Sequence, residues 1–136
     1  MTNTFNEQVI AEFRANNGKV GGPFAGAPMV LLNSVGVRSG KTYTTPLVTF
    51  ESAGNLYIIA SAGGRSEHPG WYRHLKAQPD VTIEIGSETR DVTAHELDQA
   101  ERAEIWPKIV ERMPGFGEYQ ANTGGRIIPV FRLDPH

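Results

Sequence analysis

The run from Met29 to Ser61 leaves the chain little freedom of fold. Three segments of strand character, "MVLLNSVG", "TYTTPLVTFE" and "LYIIAS", are separated only by the turn sequences "GVRSGK" and "SAGN". A parallel pairing needs a crossover of about a dozen residues or more, usually a helix, and there is no room for one here. The strands must therefore pair antiparallel. Further along, Val81, Ile83 and Ile85 alternate with Thr82 and Glu84 in "VTIEIGSETRDVTAHEL", with "GSET" as a hairpin turn. "RIIPVFRL" supplies a last strand. About six antiparallel strands with short connections predict a mainly β fold with helices (α+β), a small barrel with the helices packed around it. Pro46, inside the second strand, predicts an edge position or a bulge.

Helical signals flank this core. Thr4 and Glu7 have capping-box spacing, Phe5, Val9, Ile10 and Phe13 share one helical face, and Gly18 stops the helix. "GWYRHLKA" reads as a short helix with Pro69 in its first turn. Asp98 and Glu101 repeat the capping box before "QAERAEIWPKIVERM", where Pro107 predicts a kink or a split. "KVGGPFAGAP" and "PGFGEYQANTGG" read as irregular segments. No repeat or linker divides the chain, so residues 1–136 form one domain.

Composition narrows the function classes. The formal charge of −2 offers no broad basic field, which speaks against a nucleic-acid partner. The absence of cysteine excludes thiolate catalysis and cysteine-ligated metal, and fits a cytoplasmic protein. The start "MTNTFNEQVIAEF" has neither the basic nor the apolar region of a signal peptide. The glycines and prolines between Val20 and Val37 suit that uncharged stretch poorly to crossing a bilayer. His68, His74, His95 and His136 include no pair at i, i+4 and no metal triad, so no metal site is expected.

Two glycine-rich places carry chemistry. In "GVRSGK", Arg38, Ser39, Gly40 and Lys41 could surround an anion with two cations and several backbone N–H groups, or could simply form a charged hairpin turn. In "SAGGRSEHPGWYRHL", Ser61 offers a hydroxyl and an N–H beside backbone kept bare by Ala62, Gly63 and Gly64. Glycine lets backbone approach a flat ring closely. Trp71, Tyr72, Phe116 and Tyr119, the aromatics outside the evident strands, could wall an apolar slot with polar tips or serve as core packing.

Seven motifs in order, "NNGKVGGPFAGAPMVLL", "GVRSGK", "PLV", "LYIIASAGG", "HPGWYRHLKAQPDV", "ERAEIWPKIVERMPGFGEYQ" and "RIIPV", together resemble the deazaflavin-dependent nitroreductases, a family of small actinobacterial F420H2-dependent reductases that includes quinone reductases. The resemblance covers nearly the whole chain. It implies a split β-barrel like that of FMN-binding reductases, and coenzyme F420 as the cofactor. It makes Arg38, Ser39, Gly40 and Lys41 a clamp for the phosphate and acidic tail. Pro46, Leu47, Ile59, Ala60, Ser61, Ala62, Gly63 and Gly64 would line the ring, with Trp71 and His74 beside it. The chain departs from the pattern at Tyr43, where relatives often carry arginine, at Ala62, where some carry lysine, and at Met113 and Phe116, where tyrosines are common.

The resulting expectation is an oxidoreductase that transfers a hydride from F420H2 to a quinone, an enone or lactone C=C bond, or a nitro compound, with Ser61 and Tyr119 as catalytic residues. An FMN-using reductase and a non-catalytic F420 carrier are the alternatives. A monomer or homodimer in the cytoplasm is expected, with peripheral contact at the inner face of a membrane as an open alternative.

Overall fold

A computed structural model describes residues 4–22 and 26–135. Helix α1 (Thr4–Ala15) opens the chain, although the Thr4 side chain expected to cap it lies outside the described atoms. Strands β1 (Met29–Val35), β2 (Thr42–Ser52) and β3 (Asn55–Ile59) follow, then a single 3-10 turn (Ala62–Gly64) and helix α2 (Gly70–Ala77). Strands β4 (Asp80–Ile85) and β5 (Glu88–Glu96) form the expected hairpin around Gly86 and Ser87. Helices α3 (Gln99–Arg112) and α4 (Gly115–Asn122) lead to β6 (Val130–Pro135).

The strands close a barrel in the order β1-β2-β3-β6-β5-β4, and every pairing is antiparallel. Closure leaves no unpaired sheet edge running the length of the molecule. Pro46 lies opposite Leu31 of β1, while β3 pairs only with Thr49–Ser52. Its end of β2 thus has one neighbouring strand, a local edge where a missing N–H is tolerated.

The alternation of side chains sorts the apolar residues into an inside and an outside. Val30 and Leu32, Val81 and Ile83, Val92 and Ala94, and Phe131 and Leu133 form one cluster, the barrel interior, which Trp71 and Leu75 of α2 complete. The intervening Met29 and Leu31 face outward and are buried with Val9 and Phe13 of α1. Phe5, expected on the same helical face, stays 48% exposed. A third cluster joins Phe50, Tyr57, Ile59 and Val130 to Ile105 and Ile109 of α3. Strand β1 is buried almost throughout because both of its faces are covered.

The capping box at α3 is present: the Glu101 N–H donates to Asp98 Oδ1 (2.8 Å) and the Asp98 N–H to Glu101 Oε1 (3.1 Å). Two expectations need correction. Helix α3 runs through Pro107 without splitting, because Pro107 and Ala103, whose carbonyl loses its partner, are both exposed to water. "PGFGEYQANTGG" is not wholly irregular, since it holds α4. Two glycines give that helix poor intrinsic propensity, and tertiary contacts supply what propensity lacks. Among the described residues no helix is long and apolar enough to cross a membrane.

Candidate functional site

The β1–β2 turn folds back on itself before it can form a site. The Gly36 N–H donates to Lys41 O (2.8 Å), Gly40 N–H to Gly36 O (3.1 Å), and Lys41 N–H to Ser39 Oγ (3.2 Å). A Cβ at Gly36 would come within 2.7 Å of both Ser39 Oγ and Tyr43 Cε2, so a larger residue there would push these two side chains aside. Beyond this turn a cavity of about 730 Å³ opens against α2. The turn contributes Gly36, Val37, Arg38 and Ser39, and β2 contributes Tyr43. From α2 come Gly70, Arg73, His74, Lys76 and Ala77. Trp71 and Leu75 anchor α2 in the barrel, so the helical spacing of Gly70, Arg73, His74 and Ala77 turns that face to the cavity.

Chemically the cavity has a cationic rim and an aromatic wall. Arg38 and Arg73 are exposed and have no hydrogen-bond or ion-pair partner among the described residues. Lys76 is already engaged, its Nζ lying 2.6 Å from Glu96 Oε1. Tyr43 stacks on His74 with ring centroids 5.1 Å apart. His74 Nδ1 lies 2.8 Å from the hydroxyl of Ser34, which is fully buried and takes its partner there. Burial pushes the His74 imidazole below its ordinary value and favours the neutral ring.

The second glycine-rich stretch forms a separate place. Beyond β3, Ala60 is fully buried and its N–H donates to Pro129 O (2.9 Å). The 3-10 turn carries two left-handed residues, Ala62 (φ 50°) and Gly64 (φ 82°). A Cβ at Gly64 would lie 2.9 Å from the Cα and O of Tyr119, so α4 rests directly on this glycine. Tyr119 itself is 39% exposed and meets Phe116 edge-on at 5.9 Å.

Arg38, Ser39 and His74 are thus gathered at the cavity, with Gly40 and Lys41 in the same turn but not on its lining. Ser61, Ala62, Gly63 and Gly64 lie at the 3-10 turn, and Gly64 of that turn meets the backbone of Tyr119. Pro46 and Leu47 belong to β2, with Leu47 packed against the barrel core. Ile59 and Ala60 are buried in that framework. Trp71 is 6% exposed and packs within the barrel 5.9 Å from Phe131, behind the cavity wall. Sequence reasoning missed Arg73 and Lys76, although their spacing from Gly70, opposite Trp71 and Leu75, was the available signal. It also missed Arg126, for which no motif gave notice.

Comparison with known proteins agrees with this architecture. The profile of a family described as F420H(2)-dependent quinone reductase matches residues 6–135. An F420H(2)-dependent quinone reductase of Mycobacterium tuberculosis is 38% identical over 128 residues, covering 90% of this chain and 85% of the relative. The solved structure of an F420-H2 dependent reductase (FDR-A) superposes with a TM-score of 0.70 at 40% identity, over 79% of this chain and 94% of that one. A further structure, described as a domain-swapped dimer, gives 0.72 at 35% identity over 96% and 97%.

Proposed function

As a member of the F420H(2)-dependent quinone reductase family, and so an F420H2-dependent oxidoreductase, this chain, we propose, holds the anionic arm of its cofactor between the β1–β2 turn and α2. One observation carries the reading: two arginines without partners among the described residues, Arg38 and Arg73, flank a cavity of about 730 Å³. Unpaired guanidinium groups at a cavity rim suit phosphate and carboxylate, which they can grip in bidentate fashion. The donor set therefore fits a flat cofactor bearing a phosphate and an acidic tail. Ser39 and the N–H groups of the turn add neutral donors, and Lys41 adds charge at its outer edge.

When bound, reduced F420 supplies a hydride, and a quinone that accepts it needs one proton more to become the hydroquinone. The chain's own part is to orient and to donate. Tyr43 and the neutral His74 offer a stacked wall for a flat group. Ala60 and Trp71 support the site from behind. Ser61 and Ala62, both half-buried, offer backbone to a ring, whereas Gly64 is covered by the Tyr119 backbone, and Pro46 and Leu47 extend the barrel side of that surface. Ser61 and Tyr119 donate hydrogen bonds to the substrate oxygen as charge develops on it. The role assigned to Tyr119 is that of hydrogen-bond donor through its phenol O–H. Enones, lactones and nitro compounds are the other acceptors that a hydride donor in this setting would serve.

The test is a fluorescence titration with F420, F420H2 and FMN, followed by F420H2 oxidation with menadione as acceptor. Micromolar F420 binding with turnover is expected, and weaker FMN binding. Failure to bind F420 overturns the cavity reading, and binding without turnover leaves a carrier. FMN binding as tight as F420 binding would restore the FMN alternative, which no observation favours. The cytoplasmic setting belongs to the same reading. Light scattering tests whether a second copy of the chain is its partner.

A further inference from the structure

Outside the cavity, the Arg126 guanidinium is saturated with hydrogen-bond partners. Its Nε and Nη2 donate to Arg65 O (3.1 and 3.0 Å), Nη2 to Ser61 O (2.7 Å) and Nη1 to Ala60 O (3.1 Å). A fifth contact runs from Nη1 to His68 Nδ1 (3.0 Å). A guanidinium has five N–H donors, so this one has none to spare. Its partners are dipoles and one imidazole; it makes no ion pair with a carboxylate among the described residues.

The backbone of Arg126 is fixed as firmly as its side chain. Its carbonyl accepts from Gln120 Nε2 (2.6 Å) and Thr123 Oγ1 (2.8 Å), both at the α4 end. One residue therefore ties α4, which carries Tyr119, to the turn that carries Ser61. We propose that Arg126 is a positioning residue that keeps Ser61 and Tyr119 in register, and that His68 governs this clamp by its protonation state. The assignment of Ser61 and Tyr119 rests on the function proposed above, whereas the clamp itself rests on geometry alone.

The coupling follows from the chemistry of one nitrogen. To accept from Arg126, Nδ1 must carry no proton, so the clamped state requires neutral His68 with its proton on Nε2. A doubly protonated ring can only donate, and it would set cation against cation. Several charged and titratable groups surround His68. Tyr72 of α2 stacks on it at 4.1 Å, and Glu96, Asp98 and Arg102 line the same hollow. Glu96 is taken by Tyr72 Oη (3.0 Å) and Lys76 Nζ (2.6 Å) and makes no hydrogen bond to His68 among the described residues. Burial, then Arg126, push the imidazole down, against a smaller upward pull from Glu96. A lowered value places loss of the clamp below the ordinary histidine range: it holds above about 6.5 and is released as pH falls through the folded value.

Amide hydrogen exchange on the cofactor-free protein tests this directly, at several pH values and corrected for intrinsic rates. In the wild type, protection of the Ala60, Gly64 and Arg65 amides should fall below about pH 6.5. His68→Asn, which keeps an accepting oxygen that does not titrate, should abolish that pH dependence. Arg126→Lys keeps the charge but not the fork, and should speed exchange of these amides about tenfold or more while barrel amides such as Leu32 stay protected. Loop protection that ignores pH in the wild type, or that survives Arg126→Lys, overturns the proposal. In F420H2 turnover, Arg126→Lys should lower kcat about ten- to a hundredfold with a much smaller change in F420 affinity. The acid limb of the wild-type profile should be missing in His68→Asn. Because exchange needs no cofactor, a failure of the functional reading would leave that arm decisive.

Discussion

Gly64→Ala isolates a close approach between the 3-10 turn and α4. Gly64 has φ of 82°, and the added Cβ would sit 2.9 Å from two backbone atoms of Tyr119. The left-handed conformation alone costs an L-residue about 1–2 kcal/mol. Overpacking against backbone, which cannot swing aside like a side chain, adds about 1–3 kcal/mol. Together these predict a loss of about 2–5 kcal/mol. Gly54 provides the control, since it has nearly the same φ (81°) and nothing within 4 Å of its would-be Cβ. Gly54→Ala should therefore lose only the conformational part, about 1–2 kcal/mol. Urea unfolding of the two variants, with m unchanged, reads the difference as a shift in midpoint. Equal losses would refute the close contact between Gly64 and Tyr119.

Other perturbations address charge and chemistry. Arg38→Ala and Arg73→Ala should each raise the Kd for F420 about ten- to a hundredfold, from the loss of one charge-assisted contact, and should affect a tail-free analogue much less; titration of both ligands checks it. Tyr119→Phe should reduce menadione-dependent oxidation of F420H2 at unchanged F420 affinity, and unchanged turnover would remove Tyr119 from the reaction. The hydrogen bonds from Arg14 (2.9 and 2.8 Å) hold the Glu84 carboxyl below its ordinary value, an effect that burial opposes and a bond from Asn33 aids. Its contribution to stability is thus present above about pH 4.5 and lost as pH falls through the lower folded value. Urea midpoints between pH 6 and pH 3 should show a drop in the wild type that is smaller in Glu84→Gln.

The barrel was legible because its evidence is local. Val81, Ile83 and Ile85 announce their strand within five residues, and "SAGN" and "GSET" announce their hairpins. The capping box of Asp98 and Glu101 is local in the same sense. Helix α4 was not legible, since Gly115 and Gly117 argue against a helix and its support comes from elsewhere in the chain. Gly64 is one such support and Arg102, whose Nη2 donates to Gln120 Oε1 (3.0 Å), is another. Arg126 was hidden for a related reason. Its partners lie 58 to 66 residues away and are mostly carbonyl oxygens, which every residue type possesses.

On the proposed reading, the cavity makes up for the missing cation at Tyr43, where the resembling family often has arginine. Its positive charge comes from α2, through Arg73 and Lys76, in addition to Arg38 on the turn. The two helical cations are not equivalent. Lys76 stands 2.6 Å from Glu96, so on the proposed reading a carboxylate would compete with a bond already made, whereas Arg73 has no partner among the described residues. Tyr43, freed from supplying charge, stacks on His74 and reaches Ser39 Oγ at 3.3 Å. Replacing Tyr43 with arginine would break that stack and set a further cation near Arg38. The substitution should therefore tighten binding of an acidic tail while weakening the wall for a flat ring. Opposite changes in affinity for F420 and for its tail-free analogue would carry that signature, and a parallel rise or fall of the two would refute the division of labour between helix and strand.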